Sequence, residues 1–258
     1  MVIDIKRLTV AVLLLCTLPI ILSFSPHQGS EAGPGNIQTP QVVKLTETGG
    51  AYWPSWSPGG YRIAYFERVD LYVTKFGQDR QEPVCNLWIM DSDGSNARLL
   101  WEGEIKGYIG WPIYPPIWSL DEQVLRVADS WRTDKTYHFH SVDSGELLFT
   151  SDDPGGGPDY SPLFTDRSRS PSGRLKVNFP SIPDFEFCCI SHCGAGTGLK
   201  VYWIGEEDSE TLVLDINAHI YSFQWHPRGD ILLFSAGQKS ESPDMPESSD
   251  IYIAGFPN

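Results

Sequence analysis

Residues 51–66 read A-Y-W-P-S-W-S-P-G-G-Y-R-I-A-Y-F, and beyond a polar insertion residues 86–100 read N-L-W-I-M-D-S-D-G-S-N-A-R-L-L. Aromatic and β-branched residues in short runs predict strands at 52–57, 62–66 and 87–90. Ser57-Pro58-Gly59-Gly60 reads as a turn. Asp91 to Asn96 reads as a tight polar turn, because Asp, Asn and Gly tolerate the left-handed backbone that hairpins need. Residues 97–100 then close a four-stranded meander. One such sheet buries too little apolar surface to stand alone, so it must stack on copies of itself.

The copies are present. Tyr52-Trp53-Pro54-Ser55-Trp56-Ser57-Pro58-Gly59-Gly60 recurs as Tyr114-Pro115-Pro116-Ile117-Trp118-Ser119-Leu120-Asp121-Glu122, and as Tyr160-Ser161-Pro162-Leu163-Phe164 with an expanded turn ending Ser170-Pro171-Ser172-Gly173. The fourth copy is Tyr221-Ser222-Phe223-Gln224-Trp225-His226-Pro227-Arg228-Gly229-Asp230. An apolar second strand follows each, at 63–66, 124–128, 175–179 and 231–235. The expected fold is therefore all-β, a small β-propeller of about four four-stranded blades. The turn W-S-P-G-G with I-A-Y and L-W-I-M-D-S-D-G-S-N resembles the TolB-type, WD-like propeller repeat of exported bacterial proteins. Blade one carries the resemblance closely; blades two to four share the first strand, its turn and the apolar spacing.

Lys6 and Arg7 precede an uncharged apolar run at 8–24, the layout of a signal peptide, with an uncleaved N-terminal anchor as the alternative. Residues 1–25 are thus an expected signal or anchor, 26–40 a Gly-, Ser- and Pro-rich flexible linker, and 41–258 the propeller. The expected location is exported: periplasmic, extracellular, or on the outer side of the cytoplasmic membrane. A net charge of −14 excludes nucleic acid and an anionic membrane surface as partners. Residues 41–45 form a strand outside any blade while blade four stops after its third strand. The N-terminal strand is therefore expected to complete the last blade and close the ring, in a monomer or a ring-closing dimer.

Long insertions at 67–86, 180–198 and 236–250 fall on one face, and tight turns fall mostly on the other. Loops of that length in a compact domain point to function. Tyr52, Tyr72, Phe76, Phe185, Phe187 and Tyr221 are the candidate binding residues, for an envelope or extracellular protein or a glycan. Tyr52, Tyr114, Tyr160 and Tyr221 each stand four residues before an aromatic on the inner strand, a spacing that points side chains the same way. Cys85, Cys188, Cys189 and Cys193 are disulfide candidates in an oxidising compartment, with a bond expected between Cys85, at the end of the first long loop, and the later group. No G-x-S-x-G or H-E-x-x-H motif occurs, and the reading assigns no catalytic residue, metal or cofactor. The expected function is a non-enzymatic interaction module. The alternative is a small propeller glycoside hydrolase using carboxylates such as Asp70, Asp79 or Asp184 at the channel mouth.

Overall fold

Every regular element follows the alternation and turn chemistry of an antiparallel all-β chain. The computed structural model describes residues 39–75, 78–102, 115–131, 134–153, 169–178, 196–205, 209–238 and 248–256. Strand β1 (Gln41–Lys44) precedes the first repeat, which comprises β2 (Ala51–Trp56), β3 (Arg62–Lys75), β4 (Gln78–Asp91) and β5 (Arg98–Trp101). The second repeat is β6 (Ile117–Trp118), β7 (Val124–Trp131), β8 (Asp134–Ser141) and β9 (Leu147–Ser151). Of the third repeat the described strands are β10 (Leu175–Asn178), β11 (Gly196–Ile204) and the first part of β12 (Glu210–Trp225); the fourth continues from β12 into β13 (Ile231–Gln238) and β14 (Ser248–Gly255). The first two repeats are four-stranded sheets, and the remaining strands form one sheet in the order β1-β14-β13-β12-β11-β10.

Two backbone hydrogen bonds recur in all four repeats and verify their alignment. The amides of Ser57, Ser119, Ser170 and His226 donate across the first turn to the carbonyls of Arg62, Val124, Leu175 and Ile231. At the end of each third strand, the amides of Ser92, Val142, Ile204 and Phe256 donate to the carbonyls of Tyr61, Gln123, Arg174 and Asp230. The first-to-second-strand turn and the far end of the third strand therefore share one face in every repeat. In three turns a serine hydroxyl, from Ser57, Ser119 or Ser170, also accepts the amide five residues on.

The N-terminal strand completes the last sheet as expected. β1 pairs antiparallel with β14 from Gln41↔Gly255 to Lys44↔Tyr252. Apolar packing then joins successive repeats. Trp56 is buried with Leu233 and Ile251 of the fourth repeat, Trp118 with Tyr52 and Phe66 of the first, and Trp225 with Leu175 and Val177 of the third. The indole of Trp118 also donates to the Ser55 carbonyl at 3.3 Å, with the Arg62 guanidinium 5.0 Å over its ring. Among the described residues no core cluster spans the second and third repeats. The architecture is thus all-β and propeller-like, with three junctions between repeats in view.

Three expectations are corrected. The insertion at 67–86 is not a loop: β3 and β4 stay paired from Arg62↔Asp91 to Lys75↔Gln78. Val69, Leu71 and Val73 alternate with polar residues, a pattern that extends a ladder instead of breaking it. The insertion at 236–250 is likewise shortened, because β13 and β14 pair out to Gln238↔Ser248. The third and fourth repeats are not separate sheets, since β12 pairs with β11 through residues 210–220 and with β13 through 219–225. Residues 210–225 contain neither Gly nor Pro, whereas 102–116, between the first two repeats, contain both; nothing in β12 punctuates the strand.

Candidate interaction surface

The face that carries the turns is occupied by contacts between repeats. The Glu122 carboxylate accepts the Gly59 amide and the Arg62 guanidinium, the latter at 2.9 Å, tying the first turn to the second. Glu122 holds φ +60° where the equivalent turn positions are Gly60 at +75° and Gly173 at +73°. A carboxylate thus replaces the glycine that the backbone favours, and its return is the latch. Between the fourth and first turns, the Arg228 amide donates to His226 Nδ1 at 3.1 Å, so the ring proton sits on Nε2 and is donated to the Gly60 carbonyl, also at 3.1 Å. An added Cβ on Gly60 would lie 2.1 Å from that nitrogen, so glycine is required here. Burial, with Arg228 nearby, lowers the His226 pKa against the raising effect of the Gly60 bond. Between the third and fourth turns, the buried Asp230 accepts the Ser172 hydroxyl at 2.7 Å and Arg174 Nε at 3.1 Å. Burial works against the Asp230 charge, but these bonds from Ser172 and Arg174 prevail and lower its pKa.

The opposite face is built differently. A connector at 45–50 crosses from β1 to β2 and is fastened by Asp250, whose Oδ1 accepts the Thr46 hydroxyl and the Gly49 amide, each at 3.0 Å. Lys44 Nζ lies 3.0 Å from the other oxygen. Burial opposes the Lys44 charge, yet the bonds to Glu47 and Asp250 carry its pKa up to about 12. Under the same connector, burial raises the Glu67 carboxyl above its ordinary value, against the lowering effect of a hydrogen bond with Thr48. From this side the β3–β4 hairpin continues past the Ala51↔Glu67 pair, where β2 ends. Sequence reading places Asp250 at the end of the 236–250 insertion and gives it no role; its position directly before the apolar strand residues 251–254 is the local mark of an edge-fastening residue.

The candidate binding residues divide sharply. Tyr52 is buried in the first repeat's core and meets the half-buried Tyr221 edge-on at 5.5 Å, with His219 4.7 Å from Tyr221. Tyr52 is therefore packing, and Tyr221 carries what surface the pair presents. Tyr52 and Trp56 do not point the same way: a register shift between Tyr52 and Ser55, with Trp53 at φ +47°, inserts an extra residue and sends the two rings into different clusters. A matching shift separates Ile220 from Ser222 beside Tyr221. Tyr72 stands in the hairpin opposite Gln81. Phe76, Phe185, Phe187, Cys188, Cys189, Cys193, Asp184, Tyr114, Tyr160 and Phe164 lie outside the described residues, as do the expected signal segment and all but the last residues of the expected linker. Cys85 is not at a loop end but within β4, opposite Arg68 and buried among Leu87 and Val127. Asp70 pairs with Pro83 and Asp79 with Thr74. Their backbone positions are therefore offset by about 13 Å along the ladder.

No protein-family model matches the chain, and no curated protein matches it. Similar solved structures include an acylaminoacyl peptidase in complex with Z-Gly-Gly-Phe-chloromethyl ketone, 14% identical over 79% of this chain and 30% of that one, with a TM-score of 0.28. TolB from Acinetobacter baumannii is 12% identical over 84% of this chain and 55% of its own, with a TM-score of 0.26. A β-propeller domain from Myceliophteria thermophila is 10% identical over 85% and 99%, with a TM-score of 0.23. The chain spans under a third of the first of these and about half of the second. Its own repeat geometry defines the class: an all-β, propeller-like protein with two four-stranded meanders and one six-stranded antiparallel sheet among the described residues.

Proposed function

We propose that this chain is an exported, non-enzymatic interaction module, a four-repeat propeller that binds a protein or glycan through the face from which the β3–β4 hairpin projects. The observation that carries the reading is the contrast between faces. The turn face spends its polar groups on the Glu122, His226 and Asp230 latches, while the opposite side extends a fourteen-residue strand pair, Arg62–Lys75 and Gln78–Asp91, beyond its own sheet. Such a hairpin offers backbone and side chains to a partner without disturbing the core, as loops on a rigid scaffold do. Half-buried Tyr221 supplies an amphipathic ring at the inner margin.

The test replaces residues 69–84 with a short Gly-Ser turn, leaving the Arg68↔Cys85 pair in place. Envelope proteins and glycans captured by the parent chain are identified and then offered to the variant. Loss of those ligands at unchanged melting temperature supports the reading; undiminished capture places the binding surface elsewhere.

A further inference from the structure

Strand β9, Leu147-Leu148-Phe149-Thr150-Ser151, is the outer edge of the second sheet among the described residues. Leu147, Leu148 and Phe149 are 45, 47 and 41% exposed, three consecutive large apolar side chains in the open on both faces of the strand. The corresponding edge of the first sheet, β5, is covered. Leu100 is buried, Arg98 Nη2 donates to the Val142 carbonyl at 2.5 Å, and Gly145 backs so closely on the Leu100 carbonyl that a Cβ would lie 1.8 Å from its oxygen. Sheet edges are ordinarily guarded by Lys, Pro, a bulge or a covering element, because their unpaired amides and carbonyls template further strands; β9 has a single such guard, the register shift that sets Leu148 between the Phe139↔Phe149 and His140↔Leu147 pairs. Between Ser141 and Asp153 there is no Lys, Arg or Pro, but Asp143, Glu146, Asp152 and Asp153 flank the apolar run, and all four are exposed. Phe149 is pre-set by stacking on buried Phe139, ring centroids 4.3 Å apart, so its exposed part is rigid.

We propose that β9 is a docking edge for an extended basic peptide, added antiparallel or parallel as a further strand of the second sheet, with β-branched residues at its centre and Lys or Arg at both ends. Backbone pairing supplies the register, and alternate side chains of the peptide lie over Leu148 and Phe149. The acidic ends choose the occupant. A basic flank meets Glu146 on one side and Asp152 and Asp153 on the other, whereas a second copy of this chain, paired antiparallel about Phe149, would set Glu146 against Asp152 and is disfavoured by like charge. This site is on the circumference, distinct from the hairpin face, and does not depend on what that face binds.

The experiment uses the full chain and a fluorescent synthetic peptide, Lys-Arg-Thr-Val-Thr-Ile-Thr-Arg-Lys, with a version carrying Glu in place of each basic residue and a version with a central Pro. Anisotropy is expected to show saturable binding of the first peptide alone, weakening as salt rises, and exchange of the outward-pointing amides of residues 147–151, those not bonded to β8, is expected to slow when it binds. Leu148→Lys and Thr150→Lys, both at exposed positions, should each weaken binding by about tenfold or more through like-charge contact with the melting temperature unchanged. Equal binding by parent and variants, equal binding of the Glu-flanked or Pro peptides, or no binding overturns the proposal. So does slow exchange, in the unliganded chain, of those amides of 147–151 that point away from β8, whether from a second copy, seen as a dimer that Leu148→Lys dissolves, or from another segment of the same chain.

Discussion

Asp250 does at one position what the whole connector depends on. Removing its carboxylate strands the Gly49 amide and the Thr46 hydroxyl in a buried site, and such loss costs about 1–3 kcal/mol. Asp250→Ala is therefore expected to lower unfolding free energy by about 2 kcal/mol in urea titrations, with Asp250→Asn losing less; equal stability of Ala variant and parent would dismiss the fastening role. Glu122 tests strain against latch. Glu122→Gly relieves a left-handed non-glycine residue, about 1 kcal/mol, yet gives up charge-assisted bonds worth about 1.5–3 kcal/mol. A net loss of about 1 kcal/mol is expected, and a gain would mean that the latch is idle. Titration adds a third reading. The His226 pKa is lowered in the fold, so the unfolded chain takes the proton first: this ring's contribution is complete above about pH 6.5 and is lost as pH falls through the lower folded value. His140, lowered chiefly by burial, adds in the same window. Asp230 behaves likewise further down, its contribution present above about pH 3.9 and lost as pH falls through its own lower folded value. His226→Gln, which can still donate to the Gly60 carbonyl, should flatten the upper limb of stability against pH. Identical profiles for the two proteins would contradict a lowered His226 pKa in the fold.

Strands were legible wherever turn chemistry punctuated them. Ser57 to Gly60 and Asp91 to Asn96 end strands where expected, because glycine at +75° (Gly60) and +86° (Gly94) is what those turns demand. The β3–β4 extension and the run of β12 were not legible as single elements, since polar alternation reads equally as loop or as a ladder with two wet faces. The shift beside Trp53 was also hidden, because a bulge leaves no fixed residue signature in an aromatic run. At this scale β1 makes the sharpest prediction. Deleting residues 41–45 uncovers the edge of β14, with Tyr252 and Ile253 in its middle, and should turn a soluble protein into one that associates through that edge. Light scattering decides it, and a monodisperse deletion variant would show that β14 needs no cover.

Across the whole molecule, stability rests on tryptophans that each fill the seam to the preceding repeat. Trp118→Ala is expected to cost about 3–5 kcal/mol, a large share of a typical total of about 5–15 kcal/mol, and Trp56 and Trp225 should rank beside it; parent-like melting of any two variants would break the equivalence. The repeat and its seams could be inferred from sequence because they rest on apolar spacing. The latches could not, because Glu122, His226 and Asp230 occupy different turn positions and only the folded turns bring them to their partners. The candidate site was less legible: nothing in the sequence separates Tyr52, which lies in the core, from a ring on the surface. The central claim is that the first strand of the chain is structurally part of its last repeat, and native-state hydrogen exchange on the intact protein tests it most directly. The amides of β1 that pair with β14 should open only with global unfolding, alongside residues 231–237 of β13. Exchange of the β1 amides at unprotected rates while β13 stays protected would contradict the account.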